Sequence, residues 1–503
     1  MKKVYSASFE GINAKTVSVE TSFSKGLPSF SIVGLGNTSI QESKERIKSA
    51  LSANDYTFPP MRVTINLSPS DLKKEGTHFD LCGALLIALQ NKEVDFQDFY
   101  IFGELGLDGE VKETSSLFAL ILSLCQSGEM KKAIVPSASL DKLSCIPNTE
   151  FYGVNNLQEC INFFTQEHKQ VPACEKEFDH PYILSSDNKL FYQKDYPLDF
   201  KDIKGQEQAK RAALISATGM HNMLLEGSPG CGKSMIAKRL LYILPPLHME
   251  EILENAKLNA LEGIEPSFYP LRPFRHPHHT STPASIFGGG STHSKIGEIG
   301  LAHGGILFFD ELPNFSKNVL EALREPLEDK KIMISRVNTK IEYPTDIMFL
   351  AAMNPCPCGN LYHLQHSCRC SDLEVQRYRN RLSEPFLDRI DLNIQMQPVS
   401  SDDTSSLSSE QMHESVLKAL RHKDKRHQNA ANGKLSDEEI QIHCLLSSEL
   451  QELMRQASEQ FGLSFRSVNK TLKVSRTIAD LQECEYIQKE HLLEALSYRR
   501  RQA

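Results

Sequence analysis

The octapeptide Gly227-Ser228-Pro229-Gly230-Cys231-Gly232-Lys233-Ser234 limits the folds open to this chain more than any other stretch. It follows the apolar run Met223-Leu224-Leu225 and leads into the helix-like residues 235–241, an order that reads strand, loop, helix. The glycines let backbone N–H groups converge on phosphate oxygens, and the helix that follows turns its positive end toward them. Lys233 neutralises the β and γ oxygens, and the Ser234 hydroxyl is a ligand for Mg2+. ATP with Mg2+ is the expected ligand, and the fold class is multidomain α/β with a buried parallel sheet.

Two further apolar runs end in residues that suit the same chemistry. Residues 306–309 deliver Asp310 and Glu311 to the end of a strand, where ligands bind in open parallel sheets. Asp310 can hold magnesium directly or through water, and Glu311 can orient and deprotonate an attacking water, so the pair points to hydrolysis. Acids that merely cap a strand are the bland account of the same residues. The run 347–353 ends at Asn354, whose amide can hold that water or sense the γ-phosphate; read alone, it is a turn residue.

At 503 residues the chain has room for about three domains. Residues 1–170 mix strand-like and helix-like runs, 171–198 turn polar and proline-bearing like a linker, and 199–398 hold the alternating core. Residues 399–503 open with a Ser/Asp/Thr loop and continue as helices, with a capping box at Ser436 and Glu439. A net charge of -8 argues against a globally basic nucleic-acid coat but leaves room for local basic loops. Twelve cysteines in a chain this long do not form the dense framework of a secreted scaffold. No leader and no membrane-length apolar run is visible, so the expectation is a soluble cytoplasmic protein without a membrane partner.

Taken in order, residues 227–234, Asp310-Glu311 and Asn354 resemble an AAA+ ATPase. Pro273-Phe274-Arg275-His276-Pro277-His278-His279-Thr280, Gly288-Gly289-Gly290, Gly297-Glu298-Ile299 and Asn354-Pro355-Cys356-Pro357-Cys358-Gly359 closely resemble the magnesium-chelatase-like ComM/YifB family, over essentially the whole chain. The resemblance implies a P-loop AAA+ core with a helix-2 insert, a C-terminal helical lid, and a homo-oligomeric ring, expected to be a hexamer. It also implies a motor on branched or single-stranded DNA that promotes branch migration in natural transformation or homologous recombination. By position, Arg389 in Leu387-Asp388-Arg389-Ile390-Asp391 matches the arginine finger and Arg466 the sensor-2 arginine of the lid. Exposed helix charges are the alternative for both, and Arg377, Arg379 and Arg381 lie close enough to compete with Arg389. Residues 330–343 read as a hairpin resembling the pre-sensor-1 hairpin; Arg336 and Lys340 near its tip are candidate DNA contacts lining a pore, or else simply solvated charges.

Residues 74–80, 103–105 and 109–111 resemble a Lon-protease-like, ribosomal-S5-like domain. His78 stands where that family has its nucleophilic serine and Phe118 where it has the lysine, so proteolysis is not expected. Cys356, Cys358, Cys368 and Cys370, with His363 and His366 between them, are candidate ligands for a structural Zn2+. The C-x-C spacing departs from the usual C-x2-C, and reduced thiols packed in a loop are the competing account. His276, His278 and His279 read as a packed or substrate-facing loop and not a metal site. Two rival functions stay open: a motor that remodels a protein partner, and a nucleotide-gated DNA-binding scaffold.

Overall fold

The computed structural model describes residues 2–96, 98–165, 171–185, 188–289, 295–335, 340–363, 366–398, 404 and 406–499. The chain forms two compact units. The first comprises Met1–Asp179 with Ala256–Phe268 and Ser335–Glu342; the second holds the remainder. Among the described residues no helix is long and apolar enough to cross a membrane.

A mixed 7-stranded sheet organises the first unit, in the order Ser29–Val33, Arg62–Ser68, Asn13–Ser24, Lys2–Glu10, Phe99–Ile101, Lys132–Pro136, Glu150–Val154. The hairpin Lys2–Glu10/Asn13–Ser24 pairs in continuous antiparallel register and buries Val4, Val17 and Val19 on one face. Against that face lies the helix Asp80–Ala88, apolar all round and buried from Asp80 to Ile87. His78 is fully enclosed at its start, bonded through Nε2 to the Ala7 carbonyl at 2.8 Å and stacked near Phe79. Phe118 packs edge-on against Phe268. Neither position carries the serine or the lysine, and both side chains are packed away.

A parallel 5-stranded sheet forms the core of the second unit, in the order Phe274–Arg275, Ile306–Phe309, Met348–Met353, Met223–Glu226, Leu392–Gln395. Its three central strands are almost wholly buried, which explains their unbroken apolar sequence. Helices run from Ser409 onward, and the Ser436–Glu439 capping box opens the helix Asp437–His443. Lys331–Ser335 and Lys340–Pro344 make a two-stranded sheet.

The stretch read as a linker differs from that expectation. Tyr182–Ser185 pairs with Asn188–Phe191, which pairs in turn with Leu247–His248, burying Ile183, Leu190 and Phe191. Strands this short, set between prolines and charges, carry too few apolar residues to show a period. The loop expected at the start of 399–503 lies partly outside the described residues, while Ser409 is buried and donates toward Leu198.

Burial holds the His78 imidazole neutral and lowers its pKa from 6.5 to about 4. The unfolded chain takes up that proton below pH 6.5 and the folded unit does not until about pH 4, so His78 contributes stability above pH 6.5 that is lost on acidification. The loss amounts to about 3 kcal/mol. His78→Gln is expected to flatten the fall in the urea midpoint between pH 7.5 and pH 5; an unchanged acid slope would contradict this.

Candidate functional site

The register of the core sheet brings three strand ends to one edge. Glu226 pairs with Met353, Phe309 pairs with Ala351, and the Gly227 N–H donates to the Met353 carbonyl at 3.1 Å. The loop 227–234 therefore starts beside Asn354. Lys233 Nζ donates to the carbonyls of Gly227 (2.6 Å) and Ser228 (3.0 Å) and to Asn354 Oδ1 (3.1 Å), folding the ammonium back over the loop. Burial lowers the Lys233 pKa, offset in part by Cys231 and Asp310. Gly230 and Gly232 take positive φ of 79° and 96°, and a Cβ at either would meet nothing within 4 Å. Open space above backbone N–H groups, with the buried Ser228 Oγ lacking any partner, fits a chain of phosphates. Cys231 is buried and turns its sulfur toward Gly227, which gives it a packing role.

Ser234 Oγ donates to Asp310 Oδ2 at 2.8 Å, so the hydroxyl and carboxylate that suit Mg2+ already face each other. Glu311 sits at φ 53°, a left-handed conformation that costs a non-glycine residue energy and concentrates at functional positions. Asn314 Nδ2 holds Glu311 Oε2 at 3.0 Å, and His279 Nδ1 lies 3.6 Å from the same oxygen. The carboxylate is thus aimed, yet half exposed, as a base acting on water must be.

The arginines lie elsewhere. Asn222, which immediately precedes the strand Met223–Glu226, donates through Nδ2 to the Arg389 carbonyl at 2.9 Å. The Arg389 backbone therefore sits at the end of that strand opposite the phosphate loop, about 13 Å away at strand rise. Its guanidinium pairs with Glu328 and donates to the Pro385 carbonyl, and Nε is buried with no acceptor. Arg466 pairs with the other oxygen of Glu328. The two arginines are together, apart from Lys233, Asp310 and Asn354. Of the competitors, Arg379 is tied to Glu226 and Tyr362, and Arg381 donates to the Pro313 carbonyl. Arg336 lies outside the described residues, and Lys340 is described only as the first residue of its strand.

Cys356, Cys358, Cys368 and Cys370 bring their sulfurs within 4.8 Å of one another. Three of the separations are 3.4, 3.7 and 3.6 Å. Four thiolates at tetrahedral Zn–S distance lie about 3.8 Å apart, so the cluster has the right size for a metal. Backbone N–H groups of Arg369 and Asn360 lower the Cys358 thiol to about 6. His363 and His366 lie against each other with their rings tilted, outside the group of four sulfurs. His276 lies over the Phe308 ring and His278 beside His279, with no metal-sized cluster among the described residues of that loop.

Sequence reasoning missed Glu328, Asn314 and the role of His279. Asn314 could have been found, since it lies three residues beyond Glu311 in a tight turn. Glu328 could not: it is 61 residues from one arginine and 138 from the other.

Comparison with known proteins extends these observations along the chain. The family model for magnesium chelatase, subunit ChlI, matches residues 199–404. Models for subunit ChlI of Mg-chelatase and for its C-terminal part match 19–139 and 406–499. Competence protein ComM of Haemophilus influenzae is 38% identical over 506 residues, 99% of this chain and 97% of that protein. YifB of Salmonella typhimurium is 36% identical, covering 97% and 95%. Lon protease 2 of Bacillus subtilis is 30% identical over 160 residues, 29% of each chain. With likeness at this level from end to end, the chain belongs to the magnesium-chelatase-like ComM/YifB family of AAA+ proteins.

Proposed function

We propose that this chain is the subunit of a ring-forming, magnesium-dependent ATPase that moves along DNA and promotes migration of branched recombination intermediates. The observation that carries the reading is the division of the site. One subunit offers a phosphate cradle, a magnesium pair and a poised carboxylate at one edge of its sheet, and two guanidiniums at the opposite edge. A guanidinium whose backbone lies about 13 Å from its own cradle, and which is turned onto Glu328, does not serve that cradle, but in a head-to-tail ring it meets the cradle of the next copy. Lys233 and Asn354 fix the γ-phosphate, Ser234 and Asp310 take the metal, and Glu311 deprotonates water in line with the bond that breaks. Arg389 and Arg466 together stabilise the charge of the transition state from across the seam.

DNA as the partner is supported by the relative named as a competence protein and by the basic residues of the hairpin. A chelatase-type action on a protein partner is the second reading, favoured by the family description over 199–404. Forked DNA separates the two: it should raise steady-state ATP turnover several-fold, and no response to any DNA would favour the protein client. Lys233→Ala is expected to abolish turnover, and Arg389→Ala to lower kcat about a thousandfold with ATP binding retained. Removing Arg336 and Lys340 together should weaken DNA binding and reduce the salt slope by about two. Full turnover in the Arg389 variant would overturn the seam.

The four cysteines fit a structural Zn2+ that fixes the turn after Asn354. Within that turn Gly359 takes φ 79° and lies so close to the phosphate loop that a Cβ would stand 2.6 Å from Pro229 Cδ. Purified protein is expected to carry one zinc per chain by atomic absorption, lost in Cys356→Ser/Cys368→Ser. Gly359→Ala should push Pro229 away and weaken ATP binding about tenfold; unchanged affinity would show that the turn does not bear on the loop.

A further inference from the structure

Glu328 accepts both Arg389 and Arg466, one on each carboxylate oxygen. A single surface ion pair would mean little, since such pairs contribute close to nothing. Here one acid holds two cations that would otherwise repel each other, and a guanidinium keeps further donors after giving one to a carboxylate. The outward donors belong mainly to Arg466, whose side chain is 47% exposed, while the more enclosed Arg389 adds its charge from behind.

The backbones carrying the two arginines are joined by a second acid. Asp391 accepts the Asn222 N–H at 2.9 Å and pairs with Lys470 at 3.3 Å; Lys470 lies one turn beyond Arg466 on the helix Phe465–Leu481. Asp391 is enclosed, with its side chain 10% exposed, and its partners are internal. Glu328 differs in being 42% exposed, at the surface where Arg466 also reaches solvent. Burial explains what Asp391 does; it does not explain an acid at the surface gathering two distant arginines.

Resting on the seam proposed above, we infer that Glu328 is a positioning residue for ATP hydrolysis: it pre-assembles Arg389 and Arg466 into one cationic unit presented to the γ-phosphate bound by the neighbouring copy. The phosphate competes for donors that Glu328 does not use, so the pair arrives oriented instead of being collected from two mobile side chains. Its position follows from the chain: the helix Arg324–Asp329 ends at Lys330 in a left-handed conformation, and Thr345 N–H closes on the Lys330 carbonyl at 2.8 Å. The acid is therefore held at the base of the hairpin.

The test uses full-length assembled protein and steady-state ATP turnover. Glu328→Gln keeps the shape and removes the charge; it should lower kcat at least tenfold while KM for ATP stays within about twofold, because the cradle is untouched. Glu328→Asp should fall between Gln and wild type. Mixed with an equal amount of Lys233→Ala, Glu328→Gln should recover to about one quarter of the wild-type rate, the fraction of seams joining an intact cradle to an intact arginine pair. Arg389→Ala mixed with Lys233→Ala is the control. Wild-type kcat in Glu328→Gln would overturn the inference. So would recovery in the control mixture without recovery in the Glu328 mixture, which would leave the seam standing and place Glu328 with its own cradle. Failure of both mixtures would bring down the seam itself, and this inference with it.

Discussion

Parallel register in the core sheet is the constraint on which the site depends. Leu225 lies opposite Ala352 and Phe309 opposite Ala351, so three separate chain segments end level with one another. Because the strands are parallel, all three deliver their next residues to the same edge, and those residues are Gly227, Asp310 and Asn354. Lys233 then reaches Asn354 and Ser234 reaches Asp310 without any long excursion of the chain. A slip of one residue in any strand would turn its apolar side chains toward the wrong helical layer and part these contacts. Packing and chemistry are fixed by the same pairing.

The same geometry divides the functional groups between two ends. Leu392 pairs with Met223 at the start of its strand, so the residues before it, Arg389 among them, are placed at the edge away from the phosphate loop. In the proposed ring a single copy is therefore incomplete. On the proposed reading its charge-stabilising groups come from a neighbour, which links hydrolysis to assembly. The C-terminal helices fit that division: Asp391 and Lys470 tie the segment of Arg389 to the helix of Arg466.

What the sequence made legible followed how strongly each element depends on local chemistry. The phosphate loop, its strand and the strands before Asp310 and Asn354 could be read because buried parallel strands are continuously apolar and the loop demands particular residue types. The long strands Lys2–Glu10 and Asn13–Ser24 escaped, since the polar residues Ser6, Ser8 and Thr21 are buried in them and few large apolar residues mark the inner face. The strand Asn188–Phe191 was hidden by its charged and proline-bearing surroundings. Arg389 and Arg466 could be named only from a resemblance, and their meeting at Glu328 depends on packing between segments far apart in the chain. The four cysteines were visible as two C-x-C pairs, whereas their convergence without His363 or His366 belongs to the turn geometry.

The central claim is that each hydrolytic site is shared between two copies of this chain. ATP turnover per subunit, followed across a dilution series in which assembly is measured on the same samples by sedimentation, tests it most directly. The account predicts a rate that tracks the assembled fraction and vanishes as single copies come to dominate. A rate per subunit that stays constant down to isolated single copies would contradict it.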